Sequence, residues 1–237
     1  RRSRFVSGRR LSLHPRVLPS SSIAGAEPVP IWPDCIALRG GYTERMGAIR
    51  PARPVNLICG FIANDPDLIG QAVGLLARHV GEVEELSERW PFDFTDYYEP
   101  EMGPGLIRQF ASFADLIDPV ALVGIKTLTN DLERRLADEC GVPRSQRVVN
   151  LDPGYVTLSK LVLATTKDYG HRVYLRDGIY AESTLHYRGK VWESWPWTYP
   201  DYADGRYFPF LDRVRERLRT KLSDRFEQAD RRQEHQA

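Results

Sequence analysis

Twice in this chain an apolar run gives way to Asp-Pro and then to a helical stripe, at Asp65-Pro66 and at Asp118-Pro119. An aspartate at the N-cap accepts from orphan amides of the first turn, and a proline at the first helical position has no amide to satisfy. The dipeptide therefore sets where each helix begins and where the strand before it must end. Val55–Ala63, VNLICGFIA, is short, apolar and rich in branched residues, and it reads as a buried strand. After Asp65-Pro66, the residues Leu68, Ile69, Ala72, Val73, Leu76 and Val80 share one helix face, and Gly81 ends the helix. Glu84–Thr95 reads as extended, with Phe92 and Phe94 on one side and Asp93 and Thr95 on the other. Leu106–Phe113 is a third strand. After Asp118-Pro119 the stripe is Leu122, Ile125, Leu128 or Thr129, Leu132 and Leu136, and Gly141-Val142-Pro143 stops it. Arg147–Leu151 is a fourth strand.

This βαββαβ order predicts an α+β fold of the ferredoxin-like type, a split βαβ antiparallel sheet with both helices on one face. Beyond it the pattern predicts a turn at Asp152-Pro153-Gly154, a helix near Thr157–Lys167 and a cap at Gly170. A C-terminal hairpin follows, Arg172–Leu175 against Ile179–Tyr187 across the three-residue loop 176–178. Lys190–Tyr199 continues as an extended piece. Residues 206–230 form a long amphipathic helix with Leu211, Val214, Leu218, Leu222 and Phe226 on its apolar face. Residues 54–237 are read as one domain.

The net charge of +1 conceals an asymmetry. Residues 1–53 hold 10 Lys/Arg against 3 Asp/Glu, residues 54–200 hold 14 against 21, and residues 201–237 hold 9 against 8. Nucleic-acid backbones are bound through clustered cations, so an acidic central region argues against a nucleic-acid partner. The basic segment 1–53 is read as a disordered extension, with Met46 as the start of the natural chain. A disordered basic arm and a targeting segment are the alternatives, the latter opposed by Pro15, Arg16 and Pro19, which interrupt any apolar core. Cys35, Cys59 and Cys140 form no CxxC pair, and an odd count gives no disulfide framework, which suits a cytoplasmic protein. No stretch approaches the roughly 20 apolar residues of a membrane span.

Two long motifs, PFDFTDYYEPEMGPGL at 91–106 and NLDPGYVTLSKLVLATTKDYGHRVYL at 150–175, resemble domain-of-unknown-function family 4416, a family of bacterial and archaeal proteins. The likeness runs from about Pro54 to Asp201. Members begin a few residues before the strand at Val55, which leaves residues 1–45 outside the pattern. The resemblance implies no assigned activity.

Three constellations carry candidate chemistry. Asp93 and Asp96 leave a strand end beside Glu99 and Glu101; such carboxylates bind a hard cation, Mg²⁺ or Ca²⁺, or divide acid and base roles. The plainer reading makes Asp96 a turn cap and leaves the glutamates solvated. In the second, Asn150 and Asp152 precede the predicted helix, on which Lys160 and Lys167, two turns apart, share a face that meets a phosphate or carboxylate. His171 shuttles a proton and Arg172 adds a further cation. Against this, Asp152 is a helix cap, Lys167 a complement to the helix dipole and His171 a packed hairpin residue. In the third, Trp195, Trp197 and Tyr199 share a face if extended, either stacking bases or covering the sheet. No P-loop, Rossmann glycine pattern, zinc spacing or nucleophile elbow is present.

The favoured expectation is a small anionic, nucleotide-like ligand, with Asp93, Asp96, Asp152 and His171 catalytic and Asn150, Lys160, Lys167 and Arg172 binding. The alternative is an interaction module that holds protein or single-stranded RNA through 192–202.

Overall fold

The computed structural model describes residues 51–143 and 145–234, with side chains through Asp224. Residues 1–50 of the basic extension, Met46 among them, and the Phe226 side chain of the last helix's stripe lie outside the residues and side chains described.

The first helix-opening signal acts as the sequence predicts. β1 (Val55–Ala63) ends just before Asp65, whose carboxylate accepts from Asp67 N at 2.9 Å, and α1 (Pro66–Val80) begins on the proline. β2 (Val83–Leu86) and β3 (Trp90–Pro91) are separate short strands, so the extended run expected over 84–95 is broken. Phe92 and Phe94 fall in the loop that leads to the short α2 (Glu99–Met102). β4 (Ile107–Ile117) then runs to Asp118, which accepts from Val120 N at 2.9 Å. Here Asp-Pro opens a 3₁₀ turn, Pro119–Ala121, which leads into α3 (Leu122–Glu139).

After α3 come β5 (Asn150–Val156), β6 (Lys160–Thr165), β7 (Val173–Arg176), β8 (Ile179–Arg188) and β9 (Val191–Ser194). α4 (Pro200–Ala203) and the long α5 (Phe208–Glu234) close the chain. Four expectations are corrected here. Asp152-Pro153-Gly154 is no turn but the middle of β5. Residues 157–167 are no helix: Thr157 Oγ1 accepts from Ser159 N and Lys160 N, which turns the chain straight into strand β6. The hairpin loop at Asp177-Gly178 has two residues, both at positive φ (54° and 75°), as a type I′ turn requires. The extended piece expected to Tyr199 stops at Ser194.

All nine strands among the described residues join one antiparallel sheet in the order β2-β4-β1-β5-β6-β8-β7, with β3 on β4 and β9 on β8. The fold is therefore mixed α and β around a large antiparallel sheet. Period-two alternation sends Leu57, Cys59 and Phe61 of β1 to one side, where they pack with Ile69 and Leu76 of α1 and Ile125 and Leu132 of α3. Ile58 of β1 and Phe110 of β4 face the other side and pack with Phe210, Leu211 and Val214 of α5. Helices on both faces explain why β1 is buried at every position and reads as a continuous apolar run.

Candidate functional site

The sheet is not continuous. β5 pairs with β1 along its whole length, but with β6 only at Gly154, Tyr155 and Val156. Asn150 to Pro153 have no partner on the β6 side. Backbone groups of alternate residues point the same way, so Leu151 and Pro153 both face the gap. Pro153 has no amide to leave unpaired there. Leu151 has both groups, and α3 supplies their partners: Leu151 N donates to Glu133 Oε1 at 2.7 Å, and Lys126 Nζ donates to Leu151 O at 2.8 Å. Two charged side chains thus stand where a neighbouring strand would have paired.

A cleft of about 830 Å³ occupies this split. Its floor is β4 and β5, with Arg108, Asn150 and Asp152. One wall is the loop into α2, with Phe92, Phe94, Tyr97, Tyr98 and Glu101. Facing it are the end of β6 and the segment after it, with Lys167, Tyr169, His171 and Arg172. Trp197, Tyr199 and Asp201 close one end and Lys126, Glu133 and Arg147 the other.

The charges are organised. Buried Arg108 donates to Asp201 at 2.6 Å and to Asp152 at 3.2 Å, and its guanidinium lies over the Phe92 and Tyr202 rings. Burial works against that charge, but Tyr202, Asp201 and Asp152 outweigh it and hold the Arg108 pKa above the usual arginine value. Glu182, on β8 and almost fully buried, accepts from Arg172 Nε at 2.7 Å and lies 3.2 Å from His171 Nε2. Arg147 bridges Glu101 at 2.6 Å and Asn150 Oδ1 at 2.8 Å, with Glu133 at 3.9 Å. Burial pushes the Glu133 carboxyl up from its ordinary value, against the pull of Lys126. Burial also raises the phenols of Tyr98, Tyr199 and Tyr202, with Asp152 adding to all three. Among the described residues of the cleft, each carboxylate has a cationic or histidine side chain within 4 Å, whereas neither Lys126 nor Lys167 has a carboxylate that close. Lys167 instead donates to Tyr97 OH at 2.9 Å across the mouth.

Asn150, Asp152, Lys167, His171 and Arg172 therefore come together in the cleft. Asp93, Asp96 and Lys160 do not. Asp93 is exposed and meets Arg206 at 3.5 Å, Asp96 is exposed in its loop, and Lys160 is exposed at the start of β6. The helix face that was to join Lys160 to Lys167 does not exist. Among the described residues, no three His, Cys, Asp or Glu side chains gather as a metal site needs. The aromatic segment is drawn into the same place. Tyr169, His171, Trp197 and Trp195 form a ladder of nearly parallel rings, 5.3 to 6.2 Å between centroids. Arg172 covers the outer face of Tyr169 and His186 packs on Trp195, so ring edges, more than faces, remain for a ligand.

Sequence reading missed Arg108, Lys126, Glu133, Arg147, Glu182 and Asp201. The available signal was phase: Lys126 and Glu133 fall within the apolar arc of α3, beside Ile125 and Leu132.

The model of DUF4416, a domain of unknown function, matches residues 53–218, which span every strand among the described residues and the first turns of α5. The chain belongs to this family. The DUF4416 match contains every residue of the cleft, from Phe92 to Tyr202. No curated protein and no solved structure matches the chain.

Proposed function

We propose that the cleft between β5 and β6 binds a small anionic, nucleotide-like ligand. The observation that carries this reading is the charge pairing: the cleft's carboxylates are matched by cations, and Lys126 at its inner end and Lys167 at its mouth are left over. Burying ions is unfavourable, and replacing them by packed apolar groups is often neutral or stabilising, so this concentration at a break in the sheet argues for a role beyond holding the fold. The volume, the aromatic walls and the few convergent polar groups are those of small-molecule sites. Tyr97, Tyr169 and Trp197 offer exposed ring edges at the mouth. We further infer that residues 55–156 form a ferredoxin-like split βαβ unit, supported by the order β2-β4-β1-β5 and by α1 and α3 packing together on one face.

The test is a thermal-shift series on the full chain with nucleoside mono-, di- and triphosphates, with and without Mg²⁺. A ligand at about 100 times its Kd adds about 2.7 kcal/mol and raises the melting temperature. Asp152→Asn and Trp197→Ala should weaken that response. No shift with any nucleotide, or equal shifts in both variants, overturns the reading.

A further inference from the structure

Three side chains at the floor and inner end of the cleft have donor hydrogens without acceptors. Asn150 lines the cleft, is almost fully buried, and its Nδ2 is enclosed without a partner. Its orientation is fixed, because Arg147 Nη1 donates to Oδ1 and leaves the amide nitrogen on the other side. Arg108 Nε is likewise enclosed and unpaired. Buried Lys126 has three protons and uses one, on Leu151 O. Native proteins leave few buried polar groups unsatisfied, and a cluster of them at a cleft floor marks a place for a ligand's complementary atoms. Here the vacancies at Lys126, Asn150 and Arg108 are all donors, so the complement is an oxyanion.

Geometry narrows the oxyanion. A planar carboxylate is best met by the fork of an arginine. Both forks near the floor are engaged, Arg108 by Asp152 and Asp201 and Arg147 by Glu101 and Asn150. What remains is an ammonium and an amide, from α3 and β5, which reach a group from different directions as point donors. That suits the tetrahedral oxygens of a phosphate. The acids close by are occupied: Glu133 accepts from Leu151 N and Asp152 from Arg108, and burial favours the neutral form of Glu133, which lessens repulsion.

We propose that the inner end of the cleft, between α3 and the unpaired start of β5, seats a phosphate group on Lys126 and Asn150. This rests on the reading of the cleft as a ligand site and adds which end takes the anion. In that arrangement the phosphate lies against α3 and the floor, and the rest of the ligand extends toward Lys167, Tyr97 and Trp197.

The probe is inorganic phosphate, titrated calorimetrically into the full chain at constant ionic strength, with chloride as the control. Lys126→Gln keeps an amide donor for Leu151 O and removes the charge. Asn150→Asp keeps the oxygen that accepts from Arg147 and turns the orphan donor into a negative oxygen. Both variants should give the wild-type circular dichroism spectrum and lose about tenfold or more in phosphate affinity, the worth of one charge-assisted hydrogen bond. Phosphate affinity within twofold of wild type in both variants overturns the seat, as does a loss confined to Lys167→Gln. If nucleotides still shift the melting temperature while phosphate binding ignores Lys126, the seat is wrong and the cleft reading stands. If no nucleotide shifts it, the cleft reading fails whatever phosphate does.

Discussion

The Asp152–Arg108–Asp201 cluster allows a quantitative test of what holds the cleft floor together. Arg108→Met keeps a side chain of similar length over the Phe92 and Tyr202 rings and removes the charge. The two carboxylates then fare differently. Asp152 has 25% of its side chain exposed and can turn to water, whereas Asp201 has 5% and keeps only the Tyr207 hydroxyl, at 3.1 Å. A surface-reachable pair is worth about 1 kcal/mol or less, but a buried charge stripped of its partner costs about 3–5 kcal/mol. Nearly all the loss should therefore come from Asp201. For a chain of this size that corresponds to a fall in melting temperature of roughly 6–20 °C. Asp201→Asn removes the negative charge while leaving an oxygen to accept from Tyr207. In the double variant Arg108→Met, Asp201→Asn neither charge is buried, and stability should return to within about 2 kcal/mol of wild type. Urea unfolding followed by tryptophan fluorescence gives the four free energies, provided the m-values agree. The coupling energy should exceed about 2 kcal/mol. If Arg108→Met lies within about 1 kcal/mol of wild type, or if the two single effects simply add, then Asp201 is solvated in the folded protein and the cluster does not act as a unit.

Two further outcomes follow from the break in the sheet. Burial raises the Glu133 carboxyl above its ordinary 4.5, so the protonated form is favoured on folding; the stability this brings is complete below about pH 4.5 and is lost as pH rises through the folded value. Glu133→Gln, neutral throughout and still able to accept from Leu151 N, should gain on wild type in melting temperature from about pH 4 to about pH 8, and a constant difference refutes the assignment. Gly154→Ala places a Cβ 2.4 Å from the carbonyl oxygen of Val162 and 2.6 Å from Leu163 Cδ2 at the first β5–β6 pair. It should cost about 3 kcal/mol in urea unfolding, and a loss under about 1 kcal/mol means that β6 can shift away from β5 without penalty.

Elements marked at both ends were legible. α1 and α3 follow Asp-Pro signals and carry apolar stripes in the expected phase, as does α5, which buries Leu211, Val214, Leu218 and Leu222. The failure at 157–167 has a local cause. Within KLVLAT the apolar run LVLA is only four residues, too short to tell strand from helix by period, and Lys160 and Lys167 on either side of it fit a helix face equally well. Reading Asp152-Pro153-Gly154 as a turn forced a new element after it. In the structure both special residues serve an extended chain: the proline sits where no partner strand accepts a bond, and the glycine sits where a Cβ would strike the neighbouring strand.

The cleft was harder to see for a reason of the same kind. Pattern reading looks for ionisable groups at element ends, where loops converge, and the recovered residues Asp152, Lys167, His171 and Arg172 lie in or next to such stretches. The others sit inside apolar patterns. Arg108 occupies an inward position of a strand otherwise buried by Phe110 and Ser112, and its partners lie 44 and 93 residues away along the chain. Lys126 and Glu133 stand four residues after Leu122 and Thr129, on the face of α3 that should be apolar throughout. A helix that packs on a complete sheet has no use for an ammonium and a carboxylate there, because every backbone group beneath it is already paired. A helix that packs over a gap does, because one residue of the strand edge offers both an amide and a carbonyl, and only side chains from above can meet them. Charged residues in phase with the apolar stripe of a sheet-packed helix are thus a sequence mark of an unpaired strand edge, and of the opening beside it.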